Sequence, residues 1–77
     1  MKITWKPTGK DQNDLIARIE KDILRVEQMD AKTFWWCCYI GDDTYDCWNS
    51  PKPRPKSIEE AKKQCEEKYI EIVNKKK

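Results

Sequence analysis

Histidine is absent from this 77-residue chain. Without an imidazole, no Ser–His or Cys–His nucleophile pair and no His-ligated metal centre can be built from its own side chains. Glycine is nearly absent too, and no phosphate-binding loop is present. No window approaches the roughly 18 apolar residues of a membrane span. The N-terminus lacks the apolar core of a secretory signal. These features predict a soluble, cytoplasmic protein that makes no membrane contact and keeps its thiols reduced. An excess of one charge is also lacking, since 16 basic and 14 acidic residues leave a net charge of +2. That balance argues against nucleic acid as the partner on charge alone, and equally against an acidic mimic of DNA. The four cysteines include no C-x-x-C pair, and there are no internal repeats.

A chain of this length makes one domain, residues 1–77, and buries only about 60% of the surface its unfolded form exposes. A deep substrate pocket and a full core therefore compete for the same residues. Oligomerisation is the supplement this sequence makes easiest.

Within a chain that is 39% charged stands one apolar run, Phe34-Trp35-Trp36-Cys37-Cys38-Tyr39-Ile40. A strand sends alternate side chains to opposite faces, so one set can fill a core while the other needs a second layer or a partner. Gly41-Asp42-Asp43 reads as the following turn, and Thr44-Tyr45-Asp46-Cys47-Trp48 as the returning strand. With those three residues as the loop, Ile40 faces Thr44, Tyr39 faces Tyr45, Cys37 faces Cys47 and Trp36 faces Trp48. One face then carries Phe34, Trp36, Cys38, Ile40 and Trp48, and the other Trp35, Cys37, Tyr39, Tyr45 and Cys47. A two-residue Asp42-Asp43 loop segregates the aromatics less well.

Lys2 to Lys6 alternates polar and apolar residues before Pro7 and Gly9, which predicts a short strand and a turn. Residues 14–29 carry two patterns. Leu15, Ile19, Ile23 and Val26 fall at helical spacing, with Asn13 or Asp14 as cap, and periodicity alone prefers this helix. Alternatively Leu15, Ala17 and Ile19 line one strand, Glu20-Lys21-Asp22 turn, and Leu24 and Val26 line the next. Residues 50–56 form a basic linker whose prolines bar both helix and ladder. A helix follows from Ser57 to Val73. Ser57 and Glu60 make a capping box, and Ile58, Ala61, Cys65, Tyr69, Ile72 and Val73 share one face.

The layout of Ile3-Thr4-Trp5-Lys6-Pro7, Ala17-Arg18-Ile19, Leu24-Arg25-Val26, an aromatic strand and a Glu60-Ala61-Lys62 helix resembles small accessory proteins of bacteriophages and prophages. Anti-defence inhibitors, anti-CRISPRs among them, are found in this group. The resemblance implies an α+β fold, an antiparallel β-meander with a C-terminal helix on one face, and so tips residues 14–29 toward the hairpin. The alternative is an additional N-terminal helix over about 12–29, giving helix, sheet, helix. The resemblance also implies a host protein as target, which is analogy from layout and not chemistry.

Trp35, Tyr39 and Tyr45 are the candidate anchors for a partner, since large rigid aromatics dominate interface energetics. Asp42, Asp43 and Asp46 cluster at the hairpin tip, and read as a solvated turn able to meet a basic patch. Lys52, Arg54 and Lys56 on the proline-spaced linker are candidates for phosphate or acidic-partner contact. No catalytic residues, metal or cofactor are expected, because adjacent Cys37 and Cys38 point apart on a strand and cannot share one ion. The leading expectation is a non-enzymatic viral interaction protein that binds and inhibits a host protein or complex by occlusion. The alternatives are a nucleic-acid-binding module, reminiscent of double-stranded RNA-binding domains but with acidic Glu59 and Glu60 where phosphate should lie, and a nucleotide-ligand sponge acting as a homo-oligomer.

Overall fold

The structure of the protein, a computed structural model, describes residues 3–8, 14–49 and 53–75. Among these, five strands form one antiparallel sheet in chain order: β1 (Lys6–Pro7), β2 (Leu15–Ile19), β3 (Asp22–Gln28), β4 (Phe34–Ile40) and β5 (Asp43–Asp46). A 3-10 turn, Cys47–Asn49, follows β5, and the helix α1 (Ile58–Lys75) packs on one face across β3 and β4. This is the expected α+β meander with one covering helix. No helix among the described residues is long and apolar enough to cross a membrane.

Residues 15–28 form the β2–β3 hairpin, not a helix. A helical stripe through Leu15, Ile19, Ile23 and Val26 would leave Ala17 and Leu24 outside the core. In the sheet both are buried beside Val26 and the β4 residues Trp36, Cys38 and Ile40. The β-branched residues of this segment also favour strand over helix. Pairing with the aromatic strand therefore overrides the local period.

Both hairpin turns are one residue shorter than expected. Ile19 pairs with Asp22, so Glu20 and Lys21 alone make the first turn, with Glu20 at φ 55°. Ile40 pairs with Asp43, so the second turn is Gly41-Asp42, with Gly41 at φ 61°. Two-residue loops with positive φ at the first central position match the twist of the flanking strands, and glycine adopts that angle without steric cost. The expected three-residue loop, Gly41 to Asp43, is thereby corrected. Tyr39 now faces Thr44, Cys38 faces Tyr45, and Cys37 faces Asp46. None of the expected Tyr39–Tyr45, Cys37–Cys47 or Trp36–Trp48 pairs forms. The strand ends at Asp46, and Cys47 turns into the core while Trp48 stays 47% exposed.

The first strand is displaced as well. The ladder occupies Lys6–Pro7 at the sheet edge, where a missing N–H is tolerated. Lys2, Gly9 and Asn13 lie outside the described residues. Ile3 and Trp5 precede the ladder and pack against the core, and the Trp5 indole donates to Glu66 Oε2 at 2.6 Å.

Helix α1 is capped as its sequence predicts, with the Glu60 N–H donating to Ser57 Oγ at 3.2 Å. The Glu60 carboxylate accepts from the Lys56 N–H at 2.8 Å, one residue before the position a capping box would use. Ala61, Cys65, Tyr69 and Ile72 are the buried residues of α1. Polar groups at this interface are paired. The Trp36 indole donates to Gln64 Oε1 at 3.0 Å, and Gln64 Nε2 donates to the Pro53 carbonyl at 3.0 Å. Tyr69 donates its hydroxyl to Asp22 Oδ2 at 3.0 Å, while Asp22 Oδ1 accepts from the Gly41 N–H at 3.1 Å. One carboxylate thus ties the helix to both hairpin turns.

Candidate functional site

Helix α1 covers the face that carries Ala17, Leu24, Val26, Trp36, Cys38 and Ile40. Strand alternation and register define the other face. One rung across it runs Lys6, Ile16, Arg25, Cys37, Asp46. The next runs Arg18, Ile23, Tyr39, Thr44, and a third pairs Glu27 with Trp35. Adjacent rung positions lie about 4.8 Å apart across the strands, and rungs about 6.6 Å apart along them. Two isoleucines and two aromatics thus interleave with three cations on one surface.

Two adjoining depressions sit there and share Ile16. The larger, about 490 Å³, is lined by Thr8, Ile16, Ile23, Arg25 and Tyr39. The smaller, about 330 Å³, is lined by Thr4, Lys6, Ile16 and Arg18. Among the described residues lining them, every titratable side chain but Tyr39 is a cation. Arg25 is ion-paired with Glu27 on its own strand, whereas Lys6 and Arg18 make no ion pair among the described residues. Asp46, at the far end of the first rung, already has a partner within the chain.

Tyr39 is half-buried and reaches back along β4 to Cys37, two residues before it on the same face. Its hydrogen bond with the Cys37 thiol raises the Tyr39 pKa, so the phenol stays neutral. Burial raises the Cys37 thiol above its ordinary range, although the Tyr39 hydrogen bond opposes this. Cys65, on the helix side, is driven far higher by burial. All four cysteines are free and buried. The expected facing of Cys37 and Cys47 across a hairpin is absent, because Cys47 lies beyond β5 in the 3-10 turn. No cluster able to hold a metal ion occurs among the described residues.

The expected anchors separate. Trp35 and Tyr39 lie on the open face, half-buried, with Trp35 also touching the margin of the core. Tyr45 does not join them. As the cross-strand partner of Cys38 it sits on the helix side, packed against the core, with Lys68 Nζ 5.7 Å from its ring centre. The acidic tip is also divided. Asp42 is exposed in the turn, Asp43 is paired opposite Ile40 on the helix-side parity, and Asp46 is opposite Cys37 on the open side. In the linker, Lys52 lies outside the described residues, and Lys56 is exposed beside the helix cap. Arg54 stacks on Trp48 at 3.9 Å, and Pro55 is fully buried, so this part of the linker is anchored to the domain.

Sequence reasoning missed Lys6, Ile16, Arg18, Ile23 and Arg25. The signal was available in the hairpin alternative. Once Leu15, Ala17 and Ile19 are given to one face, Ile16 and Arg18 must occupy the other, as Ile23 and Arg25 must opposite Leu24 and Val26.

Comparison with protein-family models, curated proteins and solved structures returned no match to this chain.

Proposed function

We propose that this chain is a small, non-catalytic interaction protein that binds a host protein or complex and inhibits it by occlusion, as a phage-encoded counter-defence factor in the host cytoplasm. The observation that carries this reading is the open sheet face. Ile16, Ile23, Trp35 and Tyr39 are apolar or aromatic side chains on a surface that α1 does not cover. Grouped apolar residues rimmed by charge are the composition of docking surfaces. Occlusion requires no nucleophile, which suits a chain with no histidine and four buried thiols. The phage and anti-defence elements draw their support from the layout of the sequence.

A second reading, nucleic-acid binding, is favoured by Lys6, Arg18 and Arg25 beside Tyr39. It is the weaker one, because the centre of the face is aliphatic where single-strand binders present successive aromatic platforms.

The test is functional. Expressed in a bacterial host that carries a defence system, the protein is expected to restore phage plaquing. Tyr39→Ala and Ile23→Asp are expected to lose that effect while keeping the wild-type circular-dichroism spectrum, and Ile70→Ala, on the exposed side of α1, is expected to keep it. Equal activity of the open-face and helix variants would refute the proposal. A gel shift over a salt series that found tight DNA or RNA binding would replace it with the second reading.

A further inference from the structure

Among the described residues, the charged side chains lining the two depressions of the open face are all basic, and this identifies the class of their occupant. We infer that it receives an acidic protein segment in which carboxylates flank an aliphatic or aromatic anchor. This rests on the open face being the docking surface, and goes further by naming what docks.

Three observations carry it. Ile16 lines both depressions, and Ile23 and Tyr39 line the larger, so they accept an apolar side chain. Among the described residues, the charged side chains lining them are Lys6, Arg18 and Arg25, with no carboxylate. The other described carboxylates of this parity already have partners, Glu27 in Arg25, Asp46 inside the chain, and Asp14, whose Oδ1 accepts from the Gln28 N–H at 3.3 Å. Among the described residues, the cations of this face without an ion pair are therefore Lys6 and Arg18. By register Lys6 lies beside Ile16, and Arg18 lies across from Ile23. An apolar anchor seated over Ile16 and Ile23 brings its neighbouring residues within reach of both cations. Carboxylates there gain charge-assisted hydrogen bonds next to an apolar, partly desolvated floor, where such bonds are strongest.

The same observations disfavour the other occupants. A second copy docked face to face would set Lys6 and Arg18 against the same two cations, which repel. A nucleic acid would satisfy the cations, but Ile16 and Ile23 give it no stacking platform.

The experiment uses a short acetylated, fluorescently labelled peptide alternating glutamate and leucine, read by anisotropy. Its glutamine and lysine counterparts and an oligothymidylate serve as comparisons. The glutamate peptide is expected to saturate, and the glutamine and lysine peptides to bind at least tenfold more weakly. The double variant Lys6→Glu/Arg18→Glu should lose at least tenfold in affinity, whereas Lys63→Glu on the exposed side of α1 should not. Amide chemical-shift changes should centre on Ile16, Ile23 and Tyr39. The inference is overturned by no binding, by equal binding of the glutamine peptide, or by tighter binding of the oligothymidylate. A dimer in sedimentation that the double variant leaves intact also overturns it. Two failures are distinguishable. If Tyr39→Ala abolishes peptide binding and the charge reversal changes nothing, the docking face stands and only the acidic partner falls. If the shift changes map to α1, both fall.

Discussion

Trp35 and Trp36 are chemically identical neighbours on β4 that the pleat sends to opposite faces, so replacing each in turn measures what each face contributes. Trp36 is 1% exposed, seated under α1, with its indole N–H on Gln64 Oε1 at 3.0 Å. Trp36→Ala removes this buried ring and opens a void that α1 and β3 can only partly close. The expected loss is about 3–5 kcal/mol. A domain of this length has a total stability on the order of 4–12 kcal/mol, so the loss is about a quarter of it or more, and at the low end of that range the variant is unfolded without denaturant. Trp36→Phe keeps much of the ring but leaves the Gln64 carbonyl without that donor, and is expected to cost about 1–3 kcal/mol. Trp35 is only half-buried, so Trp35→Ala should cost roughly half the Trp36→Ala loss. Tyr39→Ala, on the open face, should cost less than Trp36→Ala for the same reason. Urea titration followed by far-UV circular dichroism gives these differences, and an unchanged m-value confirms that the denatured state is not what moved. If Trp35→Ala and Tyr39→Ala each destabilise as much as Trp36→Ala, both faces are core and the open-face reasoning is refuted.

Glu20 holds a left-handed φ of 55° that costs a side-chain-bearing residue about 1–2 kcal/mol. After glycine's extra unfolded-state entropy is counted, Glu20→Gly should stabilise by about 0.5–1 kcal/mol, and a lowered thermal midpoint would contradict the turn geometry. Tyr69 is buried, and burial followed by its hydrogen bond to Asp22 pushes its pKa up to about 12 from 10.0. Because the folded value lies above the unfolded one, the neutral phenol's contribution is complete below pH about 10 and is lost as the pH rises toward about 12. The stability difference between wild type and Tyr69→Phe should therefore shrink by about 2–3 kcal/mol over that range, and a constant difference would refute it. Ala61 is fully buried against the sheet, so Ala61→Asp places an unpaired carboxylate there and should unfold the domain, while Lys63→Asp on the exposed side should not. Wild-type-like melting of Ala61→Asp would overturn the packing of α1.

The fold could be read from the sequence where one physical signal stood alone. The helix shows a capping serine, an acidic first turn and one apolar stripe, and its buried residues are those the stripe names. The aromatic strand is equally plain from its seven-residue length, its aromatic residues and the Gly41-Asp42 turn that ends it. Residues 15–28 were ambiguous because their isoleucines and leucines satisfy a helical and an alternating pattern at once. Only pairing with β4, a long-range event, decides between them. The site was harder, because assigning a strand residue to a face depends on parity, and parity depends on turn length. Expecting Gly41 to Asp43 as the loop, where Gly41-Asp42 forms it, sent Tyr45 to the wrong face and kept Trp48 in a strand.

The same dependence makes the cationic face specific to the shorter turn between β2 and β3. With Glu20-Lys21 as the loop, the pairs sharing a face are Ala17 with Leu24 and Arg18 with Ile23. Adding one residue to that turn would pair Arg18 with Leu24 and Ala17 with Arg25. With β3 held by β4, the Arg18 guanidinium would then compete with the buried side chains for the space under α1, at the cost of burying an unpaired charge. The two-residue loop, despite its strained glutamate, keeps both arginines of the hairpin on the side away from the helix. The hairpin that completes the core is also the one that collects Arg18, Ile23 and Arg25 on the uncovered face.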